Sequence, residues 1–150
     1  MRRPVPRSAL LALPVLLLAQ LAAWPHPAAA QEPLGKFTEQ LTLAWARGAS
    51  GDIAALIAER GVSMKVEGEP AGPLATRQAK AVLRRLFDDV ETISVTLTSK
   101  KVLPGKPERA YLELLWTRRA RGTTIPERAT VFVAVVSEPG WRISEIRLLQ

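Results

Sequence analysis

Two spacings of apolar residues divide this chain. Before Asp89 they recur with a helical period, and from Thr92 onward they alternate. In "LGKFTEQLTLAWARG" the residues Phe37, Leu41, Ala44, Trp45 and Gly48 fall on one helical stripe, which Gly48 and Gly51 end. "SGDIAALIAERG" predicts a second, shorter helix, with Ser50 as N-cap, Asp52 at its positive end and Gly61 as terminator. "VSMKVEG" alternates and predicts a short half-buried strand, and "GEPAGPL" predicts a loop from its proline and glycine content. Thr76 then caps a third helix, "RQAKAVLRRLFDD", with Ala79, Val82, Leu83, Leu86 and Phe87 on its apolar face.

After that helix the period is two. Ile93, Val95 and Leu97 alternate with Thr92, Ser94, Thr96 and Thr98. Ala110, Leu112, Leu114 and Trp116 alternate with Tyr111, Glu113, Leu115 and Thr117. "TVFVAVV" is apolar on both faces, "EPGW" is a tight turn, and "WRISEIRLL" is a last strand. Helices followed by antiparallel strands, with one short strand between the second and third helices, predict an α+β domain with three helices packed on a mainly antiparallel sheet.

The N-terminal thirty residues stand apart from this pattern. "MRRPVPR" is a basic segment, "SALLALPVLLLAQLAA" an apolar one, and Ala28 and Ala30 sit where a signal peptidase reads small residues. The apolar run is shorter than the roughly 20 residues of a membrane span and is broken by Pro14, Gln20 and the Pro-His-Pro that follows. Residues 1–30 are therefore expected to be a cleaved Sec-type signal peptide. Residues 31–150 then form one domain, periplasmic or secreted, with no transmembrane anchor after cleavage.

Removing the signal changes the chemistry that the chain can offer. The full 150 residues carry 21 Lys and Arg against 14 Asp and Glu. Arg2, Arg3 and Arg7 leave, so the remainder stands at 18 − 14 = +4, mildly basic. In an exported protein that charge reads as solubility or affinity for an anionic surface rather than nucleic-acid binding. The single histidine, His26, lies in the signal, and cysteine is absent. This excludes Ser-His and Cys-His nucleophile pairs and zinc sites built on His or Cys. "PGKPER" is a turn and not a phosphate loop, and the sequence calls for no cofactor.

Three stretches carry a resemblance: "ARGASGDIAALIAERGVSMKVEG", "TRQAKAVLRRLF" and the final "GWRISEIRLL". Together they resemble the nuclear-transport-factor-two-like superfamily, the cystatin-like α+β cone, and within it a domain-of-unknown-function family of exported bacterial proteins. The resemblance implies a curved sheet wrapping the helices, with the last strand inside the sheet. It also implies that the outer sheet face can join two copies.

Fold does not select a function in that superfamily, which hosts isomerases, dehydratases and binding modules. The reading favoured by the residues is a non-enzymatic module that binds a small apolar ligand or a protein partner. Trp45, Met64, Phe87, Trp116 and Trp141 are its candidate pocket residues, although aromatic residues at such positions are ordinarily core. Leu115, Phe132 and Val136 are its candidate homodimer patch, since a two-sided apolar strand needs cover on its second face. The alternative is a small lyase or isomerase of ketosteroid-isomerase-like type. There Glu113 would be the base and Tyr111 the oxyanion donor, both on the strand face assigned outward.

Two charged clusters complete the list. Asp88, Asp89 and Glu91 are expected in a solvated helix-to-strand loop, with no metal expected. Arg118, Arg119 and Arg121 are expected at a basic hairpin tip, where charge discourages edge pairing or meets an anionic partner.

Overall fold

The computed structural model describes residues 28–66 and 69–150. Except for its last three residues, the expected leader lies outside the described residues. Helix α1 spans Ala28–Ala46, α2 Ser50–Ala55 and α3 Thr76–Asp89. The strands are β1 Val62–Val66, β2 Glu69–Leu74, β3 Val90–Leu103, β4 Arg109–Ala120, β5 Pro126–Ser137 and β6 Trp141–Leu149. They form a six-stranded sheet in the order β2-β1-β6-β5-β4-β3. Every neighbouring pair is antiparallel except β1 with β6. This is the α+β arrangement expected, with β6 inside the sheet. Among the described residues no helix is long and apolar enough to cross a membrane.

The helices cover one face of the sheet, here called inner. The α1 stripe is Leu34, Phe37, Leu41, Ala44 and Trp45, all buried, starting one turn earlier than its spacing alone requires. Thr38 is buried in the same stripe, and its hydroxyl is satisfied by donating to the Leu34 carbonyl at 2.7 Å. From α3 come Ala79, Leu83, Leu86 and Phe87, with Val82 half-buried. The sheet answers with Ala110, Leu112, Leu114 and Trp116 from β4, and with Val131, Val133 and Val135 from β5.

Helix α2 ends at Ala55, well short of Gly61, and its N-cap is Ala49 rather than Ser50, with no side-chain cap. The chain leaves the helix because β6 offers a better use for its backbone. Ile57 bridges Ile143, Ile143 N–H donates to the Leu56 carbonyl at 2.7 Å, and Ala58 N–H donates to the Ile143 carbonyl at 2.9 Å. Gly61 instead leads into β1 with φ of 91°. A Cβ there would stand 2.5 Å from the Leu74 carbonyl oxygen, so the close approach of β2 requires glycine.

The segment expected as a loop, "EPAGPL", is strand β2. It is an edge strand paired only with β1, and an edge tolerates prolines that lack an N–H. Thr76 is the first residue of α3 and not its cap. Ala75 holds the cap position, and its N–H donates to Gln78 Oε1 at 3.1 Å.

Two bulges decide which side chains face inward. In β3 the register shifts between Thr92 and Ser94. Thr92 therefore points to the core side and Ile93, expected in the core, is 50% exposed. In β6 the shift falls at Ser144, since Val135 pairs with Ile143 and Ala134 with Glu145. The extra residue lets Trp141, Ile143, Ile146 and Leu148 all be buried, although strict alternation would separate them.

Candidate functional site

On the inner face, Trp45, Phe87 and Trp116 pack edge to face around one another. Their centroid separations are 5.4, 5.7 and 5.8 Å and their interplanar angles 69° to 86°. Trp116 Nε1 donates to Thr92 Oγ1 at 3.0 Å, and the Arg118 guanidinium lies over the Trp116 ring at 4.8 Å. These rings fill their own space. Met64 and Trp141, expected beside them, are also buried but stand elsewhere along the sheet. Trp116 pairs with Ala129 and Trp141 with Ser137. The two partners are 137 − 129 = 8 positions apart on β5, roughly 25 Å at the rise of a strand. The structure therefore does not bring the five residues into one pocket.

The charged residues expected at a helix-to-strand loop and a hairpin tip meet each other instead. There is no such loop, because α3 ends at Asp89 and β3 starts at Val90. Nor are the three arginines all solvated, although Arg121 is exposed in the turn. Arg118 is 3% exposed against Trp116. Arg121 Nε donates to the Asp88 carbonyl at 2.7 Å and its backbone N–H to the Asp89 carbonyl at 3.1 Å. A cation thus satisfies the negative C-terminal end of α3. Arg119 pairs with Glu91 at 2.6 Å, and that hydrogen bond and charge hold the Glu91 carboxyl below its ordinary pKa. Asp88 pairs with Arg84 at 3.8 Å. Among the described residues no group of three acidic, His or Cys side chains converges to hold a metal.

The outer face carries the more open chemistry. Tyr111 and Phe132 stack with centroids 5.4 Å apart and a tilt of 30°, and Arg147 lies over the other ring of the pair, Phe132, at 5.9 Å. Arg147 Nε donates to Glu145 Oε1, which raises the Arg147 pKa further. Glu113 pairs with Phe132 across the strands and Leu115 pairs with Thr130, both half-buried. Glu113 and Tyr111 do share the outer face, as their spacing requires.

Beside this patch lies a cleft of about 360 Å³. Its floor is β5 at Ala134 and Val136, each 8% exposed. One wall is Arg109 and Tyr111 of β4, with Pro107 of the preceding turn. The other is Ser144 and Glu145 of β6, with Arg60 from the segment between α2 and β1. The β6 bulge explains that second wall. It opposes two residues to one, so Ser144 and Glu145 both line the cleft, and Ser144 Oγ donates to the Ala134 carbonyl at 3.1 Å. Val136, expected with Leu115 and Phe132 in one patch, is recessed on this floor. Glu113 does not line the cleft. A separate, mainly apolar hollow of about 300 Å³ lies between α1 and β3, lined by Thr38, Thr42, Leu43 and Leu97 among others.

Sequence reasoning overlooked Arg60, Arg109 and Ser144, because nothing in their local spacing marks them. Their proximity comes from the pairing of β4, β5 and β6.

No family model matches the chain, and no curated protein matches it in sequence. Solved structures do match in fold. A DUF4783 family protein from Bacteroides uniformis is similar with a TM-score of 0.62 at 12% identity, over 75% of this chain and 94% of the other. A domain of unknown function with a cystatin-like fold, from Nostoc punctiforme, gives a TM-score of 0.61 at 17% identity, over 81% and 76%. A protein with a ketosteroid isomerase-like fold from Catenulispora acidiphila, solved with trimethylamine, gives 0.58 at 15% identity, over 75% and 83%. The chain therefore has the cystatin-like fold expected from its sequence.

Proposed function

We propose that this protein is an exported, non-enzymatic binding module that works through the outer face of its sheet, and that a second copy of the chain covers the part around Phe132. The observation that carries this reading is the Tyr111–Phe132 stack, held on a sheet face that no described helix covers. The inner face, by contrast, is filled by Leu34, Leu41, Trp45, Leu112, Leu114 and Trp116, all fully buried. Phe132 stands between Glu113 and Arg147 in cross-strand register. A two-fold interface sets residue i of one copy on j of the other and j on i, so a patch bearing both signs complements itself.

Export rests on the leader residues, and the small apolar ligand of the sequence reading is served by the hollow between α1 and β3 rather than by the tryptophans. The isomerase-like alternative keeps Tyr111 and Glu113 on one face. Against it, Tyr111 lines the cleft and Glu113 does not. A fold shared with a ketosteroid isomerase-like protein carries no activity by itself.

Sedimentation velocity over a range of concentrations tests the proposal. The wild type should form a dimer, and Phe132→Arg should shift it to monomer with an unchanged circular-dichroism spectrum. If that variant unfolds, Leu115→Glu replaces it at the rim of the patch. A wild type that stays monomeric at high concentration overturns the reading.

A further inference from the structure

We propose that the cleft between β4 and β6 binds a small organic monocarboxylate with an aromatic or otherwise apolar body. This goes beyond the docking reading and shares with it the Tyr111–Phe132 stack, while its charged groups, Arg60 and Arg109, belong to the cleft alone. The cleft, at about 360 Å³, falls at the small end of ligand pockets, which run from roughly 300 to 1,000 Å³.

The charges of the cleft set the head group. Glu145 is already engaged by Arg147, next to it on the outer face. Arg60 and Arg109 make no ion pair or side-chain hydrogen bond with another described residue. Glu138, at the β5–β6 turn, is the remaining carboxylate of the lining. With the Glu145–Arg147 pair neutral, two arginines against one glutamate leave 2 − 1 = +1. A carboxylate of charge −1 balances that, and its two oxygens suit guanidinium donors. A phosphate dianion or a dicarboxylate would leave an excess negative charge facing Glu138.

The body of the ligand is set by what lies between the arginines. Ala134 and Val136 make an apolar floor without long side chains that would fill the space. Tyr111 stands in the wall with its ring braced by Phe132 at 5.4 Å, so an apolar surface is held in place before a ligand arrives. Ser144 adds a hydroxyl at the opposite wall.

The test uses isotope-labelled mature protein and benzoate as probe, with benzamide as the neutral isostere and inorganic phosphate as the simple anion. Benzoate should shift amide resonances at Arg109–Tyr111, Ala134–Val136 and Ser144–Glu145, in the millimolar range of a weak site. Benzamide and phosphate should bind at least about tenfold more weakly, as should benzoate to Arg60→Gln or Arg109→Gln, each losing a charge-assisted bond. Both arginines are exposed, so the variants should keep the wild-type spectrum elsewhere. The same titration on Leu115→Glu, which leaves Tyr111 and Phe132 in place and lies outside the cleft lining, separates this site from the docking patch, because a monomeric variant should still take benzoate. Equal binding of phosphate, unchanged affinity in both arginine variants, shifts mapping elsewhere, or no shifts would each overturn the proposal.

Discussion

Trp116 Nε1 donates to Thr92 Oγ1 at 3.0 Å across the β3–β4 pair, and the bulge at Ile93 is what makes this possible. Without the extra residue, strict alternation would set Thr92 outside and Ile93 over the tryptophan ring. The core accepts a half-exposed isoleucine in exchange for a partner to a fully buried indole N–H. Thr92→Val keeps the shape and removes that partner. It should cost about 1–3 kcal/mol in urea unfolding, the range for an orphaned buried donor. An unchanged midpoint would show that the indole finds another acceptor.

Trp45 offers the reverse case. Its Nε1 is buried with no hydrogen-bond partner among the described residues. Trp45→Phe removes an unsatisfied donor along with some ring volume, whereas Trp116→Phe loses volume and a satisfied bond. Trp116→Phe should therefore be the more destabilising of the two, by about 1 kcal/mol, the net worth of one hydrogen bond. Equal losses in thermal unfolding would contradict this.

Gly61 and Gly122 both have positive φ, at 91° and 83°. Only Gly61 also meets backbone, since a Cβ on Gly122 would find nothing within 4 Å. Gly122→Ala should cost about 1–2 kcal/mol for the left-handed conformation alone. Gly61→Ala should cost more and loosen the β1–β2 pairing, which hydrogen exchange at Met64 and Lys65 would report.

The Arg119–Glu91 pair makes a pH prediction. The Glu91 carboxyl has its pKa lowered in the folded protein, first by the Arg119 hydrogen bond and then by its charge. Any stability this contributes is therefore present above the unfolded pKa, near 4.5, and lost as pH falls through the lower folded value. In Arg119→Ala the Glu91 titration, followed by NMR, should move upward. The effect on unfolding at neutral pH should be small, since the pair is largely exposed.

Cleavage after Ala30 should leave Gln31, or its pyroglutamate, as the first residue of exported material, read by intact-mass spectrometry. Leu34, Phe37 and Leu41, all buried, stay on the mature side of that cut. A mature species retaining Leu10–Leu21 would refute it.

Much of the fold could be read from the chain alone, because side-chain periodicity is a local property of helix and strand. Phe37, Leu41, Ala44 and Trp45 declare the buried face of α1, and Ala110, Leu112, Leu114 and Trp116 that of β4, before any partner is known. The two-sided apolarity around Phe132 is equally local. The bulges at Ile93 and Ser144 are different, since an extra residue has meaning only against the strand that it fails to match. The same holds for β2, whose prolines read as loop until β1 pairs with them, and for α2, which ends early because β6 takes its backbone bonds. The chemistry divides in the same way. Tyr111 and Glu113 share a face by spacing alone, but only the pairing of β4, β5 and β6 sets Arg60, Arg109 and Ser144 around one cleft and leaves Glu113 outside it. Likewise the three arginines after Trp116 look like a charged tip in sequence, and only the packing of α3 against β3 and β4 turns Arg121 onto the end of a helix.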